Sequence, residues 1–237
     1  MVIKNVLYPK RCLGCDKILR QDQKKVGFCR KCSKEIFFTT DKVCMKCGQP
    51  IDGIDERCSD CKKRHHEFVQ HKALFSYKGV MPRAMYRFKY GNRRCYADIF
   101  SYYMIKKFAK WLNTIQVDAI IPVPMYKRKK KKRGYNQAEV LARELAKRTG
   151  IDYRNDLVVR ICDTQPMKQL NDVERKYNLQ NAFKIAKKDV NLNKVMLIDD
   201  IYTTGSTMDH VAAVLRAAGV REVYCMSVCI GDNTQEV

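Results

Sequence analysis

The sequence Val195-Met-Leu-Ile-Asp-Asp-Ile-Tyr-Thr-Thr-Gly-Ser-Thr207 joins an apolar strand to two adjacent carboxylates and a short polar loop. A helix pattern begins at Met208, so the loop exposes backbone N–H groups at a helix N-terminus, where the helix dipole favours an anion. Gly205 lets the backbone approach a ligand closely. Hydroxyl donors come from Thr203, Thr204, Ser206 and Thr207. Because Asp199 and Asp200 would repel phosphate, we expect them to accept hydrogen bonds from sugar hydroxyls, which predicts a ribose 5-phosphate site.

The same stretch could be a buried strand followed by an ordinary capped helix, with Ser206 or Thr207 as the N-cap. A cap requires neither two carboxylates nor two preceding threonines, so we favour the ligand site. The chain contains no GxxxxGK[ST] and no GxGxxG sequence, which are the common signatures of other nucleotide sites.

Strand and helix patterns alternate along the rest of the chain. Strands are predicted at His71–Tyr77, Asp118–Val123, Leu157–Ile161, Val195–Ile198 and Glu222–Cys229, and helices at Met81–Tyr90, Cys95–Trp111, 137–148 and Met208–Ala218. This order predicts an α/β fold with a parallel sheet flanked by helices. Ligands of such sheets bind at the carboxyl ends of the strands. The loop after Val123 and the polar loop Thr164–Asn178 should therefore meet the signature at one crevice.

Eight of the twelve cysteines form four CxxC pairs near the N-terminus. They are Cys12/Cys15, Cys29/Cys32, Cys44/Cys47 and Cys58/Cys61. In a cytosolic chain this pattern indicates metal binding, and two such pairs complete a closed tetrahedral zinc site. We expect two structural zinc ions in a domain of residues 1–66, ahead of an α/β domain of residues 67–237. Sequential pairing is the simplest arrangement, and the spacing also permits interleaved pairing.

The other cysteines and the nearby histidines are not expected to bind metal. His65 and His66 follow the last CxxC pair and could replace a cysteine ligand, although a surface or linker position is the simpler expectation. Cys95, Cys162, Cys225 and Cys229 lie in apolar contexts and are predicted to be buried thiols.

The chain is strongly basic, with 47 Lys and Arg against 25 Asp and Glu, for a formal net charge of +22. Such an excess favours a polyanionic partner, most often nucleic acid, although a basic proteome or a solubility effect would also produce it. Four lysines in the basic run Lys127–Arg133 cannot all face one small ligand, so they are the nucleic-acid candidates. They are Lys129, Lys130, Lys131 and Lys132. A solvated charged loop is the alternative interpretation.

In Phe88-Lys89-Tyr90-Gly91, a lysine between aromatic rings could accompany base stacking, although at least one ring should belong to the core.

Met1–Pro9 lacks the long apolar region of a signal peptide, and no run approaches about 18 apolar residues. We therefore expect a cytoplasmic protein that could still visit an anionic membrane surface through its charge.

The 13-residue signature closely resembles the 5-phosphoribosyl-1-pyrophosphate (PRPP) motif of type I phosphoribosyltransferases. The resemblance implies that Asp199 and Asp200 hold the ribose hydroxyls as catalytic residues, that the loop holds the 5-phosphate, and that Mg²⁺ accompanies PRPP. It also implies that the loop after Val123 contacts pyrophosphate and that Thr164–Asn178 forms a flexible hood. The implied pyrophosphate residues are Tyr126, Lys127, Arg128, Arg133, Lys168 and Arg175.

The order of motifs along the chain is similar to that of the ComF (ComFC) competence family. A CxxC-rich N-terminus precedes Lys89-Tyr-Gly, Pro122-Val-Pro, Arg133-Gly-Tyr-Asn-Gln, Gln169-Leu, Arg175 and the PRPP signature. This resemblance implies a role in natural transformation, in which imported single-stranded DNA is handled on the cytosolic side. Its implied partners are the competence helicase ComFA and DNA-processing proteins.

Three functional hypotheses follow. The first is a DNA-handling protein that binds PRPP and single-stranded DNA. The second is an active phosphoribosyltransferase, whose acceptor the sequence does not specify. The third is an adaptor that docks competence proteins through its zinc ribbons and retains a vestigial ligand site.

Overall fold

A computed structural model describes residues 9–162, 182–187 and 190–231. The strands are β1 (Gln70–Ser76), β2 (Ala119–Pro122), β3 (Asp152–Tyr153), β4 (Val158–Arg160), β5 (Phe183–Ile185), β6 (Lys194–Tyr202) and β7 (Glu222–Ile230). Five of them form a parallel sheet in the order β1-β7-β6-β2-β3. Strands β4 and β5 form a separate antiparallel pair. The predicted α/β class with a parallel sheet is confirmed.

Helices cover both faces of the sheet. They are α1 (Arg30–Ser33), α2 (Ser59–Lys63), α3 (Met81–Tyr90), α4 (Tyr96–Ile115), α5 (Lys127–Arg133), α6 (Gln137–Thr149) and α7 (Ser206–Ala217). Side chains alternate between two cores along β6, as a strand requires. Met196 and Ile198 pack with α3, α4 and α6, whereas Val195 and Leu197 pack with α7 and the β4–β5 pair.

The cysteine-rich segment is packed into these same cores. Leu13, Leu19 and Phe28 are buried in the core that contains α3 and α4. Cys44 and Cys47 are buried in the other core, with α7. The two halves of the segment therefore lie against different faces of the sheet, and each gains apolar burial that about 60 residues alone could not provide. The division at residue 66 stays a prediction.

Two local predictions were wrong. The basic run after the second strand is a helix, α5, rather than a loop, since Lys and Arg are good helix formers and Gly134 closes the turn at φ 83°. Strand β6 continues through Tyr202, and α7 begins at Ser206 rather than Met208, so Asp199 and Asp200 lie within the strand. Strand pairing with β7 as far as Tyr202 accounts for this extension.

The predicted hood, Thr164–Asn178, lies outside the described residues. Within the ranges given above, no helix combines the length and the apolarity that crossing a bilayer would require.

Candidate functional site

The centre of the site is the acidic pair, Asp199 and Asp200, on the central strand β6. Asp200 is 8% exposed, and its Oδ1 lies 3.2 Å from the Nζ of Lys89 on α3. Burial raises the pKa of Asp199 above the usual carboxyl range, and the neighbouring Asp200 raises it further, while the backbone N–H of Asp200, Lys89 and Arg160 oppose the shift. The acidic pair is therefore largely removed from water.

Lys89 supplies the positive charge that faces this pair. Burial alone would lower the pKa of Lys89, but Asp200 and Asp199 more than offset that effect, so its pKa is raised. Lys89 therefore stays charged within a partly desolvated cleft, where its attraction to an anion is stronger than in water.

A cleft of about 200 Å³ opens over the acidic pair. Its polar and charged lining residues are Lys89, Lys129, Arg133, Asn136, Gln137, Arg160, Asp199, Asp200 and Thr207. Two carboxylates and four cations thus share the lining of one cleft. This combination suits a ligand that carries both hydroxyls and phosphate groups.

The sequence Arg133-Gly-Tyr-Asn-Gln fixes the position of α6 beside the cleft. Asn136 caps α6 by accepting from the N–H of Ala138 (3.1 Å), and it donates to the carbonyl of Val123 (2.9 Å). Tyr135 donates to the carbonyl of Phe88, while buried Gln137 donates to the carbonyls of residues 88 and 89 (3.3 Å each). The motif therefore ties α6 to both the end of β2 and the end of α3.

Arg133 is itself held in place by two neighbours. Its Nη1 donates to Gln137 (2.8 Å) and its Nη2 to the hydroxyl of Tyr90 (3.2 Å), with the guanidinium 4.8 Å from the Tyr90 ring centroid. Two partners and a stacked ring pre-organise the guanidinium at the edge of the cleft.

The signature loop, Thr203–Thr207, follows β6 and leads into α7. Gly205 adopts φ 77°, a conformation that L side chains rarely take, and an added Cβ there would run into the Tyr202 hydroxyl. The hydroxyls of Thr204 and Ser206 lie 2.9 Å apart. The first N–H groups of α7 have no acceptor within the helix, so the loop presents donors to an anion.

The residues that line the cleft include only some of the pyrophosphate candidates and one of the nucleic-acid candidates. Arg133, a pyrophosphate candidate, lines the cleft, and Lys129, a nucleic-acid candidate, also lines it. The described residues that line it do not include the other predicted contacts Tyr126, Lys127 and Arg128. Lys168 and Arg175 lie outside the described residues.

The remaining lysines of α5 differ in their surroundings. Lys130 forms an ion pair with Glu139 (2.8 Å). Lys131 and Lys132 are exposed, with no partner among the residues that the structure describes. Lys127 and Arg128 at the start of α5 are exposed in the same way, so these four residues are free to meet a polyanion within the described part of the chain.

The eight CxxC cysteines form two clusters with sequential pairing. The first holds Cys12, Cys15, Cys29 and Cys32, and the second holds Cys44, Cys47, Cys58 and Cys61. The sulfur atoms within each cluster all lie within 4.8 Å of one another, with 3.7 Å between Cys15 and Cys29 and 3.6 Å between Cys47 and Cys58. A tetrahedral site with Zn–S bonds of about 2.3 Å separates its sulfurs by about 3.8 Å. Both clusters therefore fit structural zinc.

The histidine and free-cysteine predictions need correction. His66 is 2% exposed and its Nδ1 lies 2.7 Å from Asp209 on α7, so it is not a surface residue. Cys95 is exposed and Cys162 is partly exposed, whereas Cys225 and Cys229 are buried as predicted.

Several residues of the site were not predicted from the sequence. Lys89 and Arg160 were not assigned to it, although Arg160 stands at the end of a predicted strand, which is a signal that could have found it. Asn136 and Gln137 were recognised only as part of a motif. The contact between His66 and Asp209 joins residues 143 apart in the chain, and no local pattern marks it.

Comparison with known proteins identifies the family. A sequence model of the double zinc ribbon domain matches residues 3–62, and one of the phosphoribosyl transferase domain matches residues 105–237. Competence protein F of Haemophilus influenzae is 31% identical over 220 residues, covering 90% of this chain and 93% of that protein.

Two further relatives align over most of their length. DNA utilization protein YhgH of Escherichia coli K12 is 27% identical, covering 86% of this chain and 90% of its own. Competence protein ComFC of Bacillus subtilis is 26% identical, with 85% and 82% covered. The chain therefore belongs to the competence protein F (ComF) family, with a double zinc ribbon ahead of a type I phosphoribosyltransferase fold.

Proposed function

We propose that this protein acts in DNA uptake during natural transformation, and that it binds Mg·PRPP in the cleft and single-stranded DNA on the adjoining basic surface. The names of its relatives, competence protein and DNA utilization protein, support the pathway. The observation that carries the PRPP site is the acidic pair at the end of β6, which faces Lys89 and lies beside the N-terminus of α7.

Each part of PRPP has a chemical counterpart in the cleft. The ribose hydroxyls donate to Asp199 and Asp200, and the 5-phosphate accepts hydrogen bonds from the signature loop. The pyrophosphate is attracted by the cations that line the cleft, which are Lys89, Lys129, Arg133 and Arg160. Mg²⁺ bound together with the ligand would neutralise part of its charge.

The proposed DNA surface adjoins the mouth of the cleft. Lys131 and Lys132 on α5 offer unpaired charge to phosphates, within the described part of the chain. Tyr86 and Tyr90 on α3 are 66% and 60% exposed, and their ring centroids are 5.1 Å apart. Exposed aromatic rings beside a basic groove are the usual platform on which proteins stack unpaired bases.

Oligonucleotide binding tests the DNA part of the proposal. The double variant Lys131→Gln/Lys132→Gln should lower the log–log salt slope of oligo(dT) binding by about 1.4, because single strands contribute about 0.7 per neutralised phosphate. Lys130→Gln is the matched control, since Lys130 is paired with Glu139. An unchanged slope in the double variant would remove Lys131 and Lys132 from the DNA surface.

An abasic strand separates stacking from phosphate contacts. Tyr86→Ala should weaken oligo(dT) binding several-fold but leave binding of an abasic strand of equal length unchanged. Tyr102→Ala, at an exposed tyrosine on α4, is the control. Equal losses for both strands would contradict base stacking at Tyr86.

An active phosphoribosyltransferase is the second candidate, favoured by the opposed charges in the cleft. Displacement of pyrophosphate from C1 develops positive charge on the ribose and negative charge on the leaving group, and the cleft offers carboxylates to one and cations to the other. Pyrophosphate release from PRPP in the presence of purines, pyrimidines or ammonia would reveal turnover. Bound PRPP without release would favour a binding role.

The adaptor hypothesis makes a different prediction about partners. If the ribbons dock the helicase ComFA and DNA-processing proteins, and the cleft is vestigial, then Asp199→Asn/Asp200→Asn should leave partner capture and transformation unaffected. A transformation defect in that double variant, with partner capture intact, would assign function to the cleft.

A further inference from the structure

We propose that the second zinc ribbon, Cys44–Cys61 with its continuation to Phe68, is a positioning element for the signature loop, so that this ribbon sets the affinity for the 5-phosphate of the ligand. The inference rests on the proposed PRPP site and assigns a further role to residues outside it. Its basis is a set of contacts at three points: before the loop, within it and after it.

The contact before the loop runs through Tyr202. The Tyr202 ring stacks on buried His71 at 4.1 Å between centroids and meets the edge of Phe68 at 6.3 Å. His71 in turn donates from Nδ1 to the carbonyl of Cys47 (2.7 Å), a cysteine of the second cluster. The last residue of β6 is thus packed against a side chain that is hydrogen-bonded to a cysteine of the second cluster.

The contact within the loop comes from Arg64. This residue follows α2, whose Cys61 belongs to the second cluster, and its Nη1 donates to the carbonyl of Thr204 (3.4 Å). Orienting the Thr204 carbonyl fixes the peptide plane that also carries the N–H of Gly205. That N–H is one of the backbone donors of the loop.

The contact after the loop consists of two hydrogen bonds to the carboxylate of Asp209. His66 lies 2.7 Å from Asp209 Oδ2, and the backbone N–H of Glu67 donates to Asp209 Oδ1 (3.0 Å). The backbone N–H of Asp209 itself donates to the carbonyl of Gly205 (2.9 Å). The ribbon therefore holds both carboxylate oxygens in the first turn of α7, whose N–H groups face the phosphate position.

The three contacts involve neither Lys89 nor Arg133. Lys89 pairs with Asp200 of β6, and Arg133 donates to Gln137 of α6 and Tyr90 of α3. Loosening the ribbon contacts should thus affect recognition of the 5-phosphate and spare recognition of pyrophosphate. General destabilisation of the fold would affect both.

The test compares three probes on the full-length, zinc-loaded protein by calorimetry: Mg·PRPP, ribose 5-phosphate and inorganic pyrophosphate. In Arg64→Ala/His66→Ala, the affinity for Mg·PRPP and ribose 5-phosphate should fall about ten-fold, and pyrophosphate affinity should be unchanged. His66→Asn, whose amide can replace Nδ1 towards Asp209, should retain most of the affinity in the Arg64 wild-type background. Arg57→Ala/His65→Ala is the matched control, because it removes the same residue types from exposed positions of the same segment.

The outcomes are distinguishable from one another. Equal affinities in the double variant and the control, or a parallel loss of pyrophosphate binding, would overturn the positioning role while leaving the PRPP site intact. If the double variant does not fold, Arg64→Ala alone provides the same comparison, because its side chain is exposed. A wild-type protein that binds none of the probes would overturn the proposed function and this inference together.

Discussion

The ammonium group of Lys89 lies 3.2 Å from the carboxylate of Asp200 and joins α3 to the central strand across the cleft. The two residues are the positive and negative faces of one ligand site. Asp199 is adjacent to this pair, and both its burial and the charge of Asp200 disfavour its ionised form. Asp200, by contrast, is the carboxylate that pairs with Lys89, and this difference predicts how the two aspartates differ.

Asp199→Asn should stabilise the ligand-free protein, whereas Asp200→Asn should not. Removing Asp199 relieves carboxylate repulsion on the order of 1 kcal/mol, which for a chain of this size raises Tm by about 2–4 °C at pH 8. Removing Asp200 leaves partly buried Lys89 without its closest counter-ion, so Tm should stay the same or fall. Differential scanning calorimetry of the two single variants measures this, and equal shifts would contradict the assigned pairing.

Stability should also depend on pH through Asp199. Its pKa is raised in the folded state, so the folded protein holds this proton more tightly than the unfolded chain does. The protonated carboxyl therefore stabilises the fold at low pH, and that contribution is lost as pH rises from about 4 through the raised pKa. Urea unfolding should show that the gain from Asp199→Asn is larger at pH 8 than at pH 5. A gain independent of pH would mean that Asp199 titrates normally.

Each of the two cysteine clusters should bind one zinc ion. The wild-type protein should hold two zinc ions per chain by elemental analysis, and Cys29→Ser should lower the content of the first site alone. The variant should also lose several kcal/mol of stability, since a structural site contributes folding energy and this ribbon shares a core with α3 and α4. Cys95→Ser is the control, because Cys95 is exposed and belongs to neither cluster. Two zinc ions retained in Cys29→Ser would contradict the assignment.

Gly205 should be intolerant of any side chain. Gly205→Ala combines an unfavourable φ of 77° with a clash against Tyr202, so it should lower stability by about 2–4 kcal/mol and abolish PRPP binding. Gly219→Ala is the control, because Gly219 also has positive φ (100°) but open space around it, and it should cost only about 1–2 kcal/mol. Similar costs for both would show that the clash is relieved by movement of Tyr202.

The sequence predicted what depends on local pattern. Alternating strands and helices gave the α/β class, and helix α3 has the predicted bounds, Met81–Tyr90. The CxxC pairs identified both zinc clusters, because two thiolates on one turn are a local feature. The signature was also recognisable, since its strand, carboxylates and loop are continuous in the chain.

The features that the sequence did not predict depend on contacts between distant segments of the chain. The basic run could be a solvated loop or a helix by composition alone, and its helical form places Lys129 in the cleft. The sequence around His66 does not indicate that this residue is buried, because its partner Asp209 is on α7. Lys89 acquires its role only when α3 packs beside β6. Spacing also left the cysteine pairing open, and the grouping of the sulfur atoms supplied it.

The central claim is that the cleft binds PRPP through the acidic pair, and thermal shift with Mg·PRPP tests it most directly. At about 100 times its dissociation constant, the ligand should stabilise the zinc-loaded wild-type protein by roughly 2.7 kcal/mol. Asp199→Asn/Asp200→Asn should lose this stabilisation, and Asp22→Asn/Asp52→Asn, which removes two exposed carboxylates from the ribbons, should retain it. A folded wild-type protein that Mg·PRPP does not stabilise, or stabilisation that survives in the Asp199/Asp200 variant, would contradict the account.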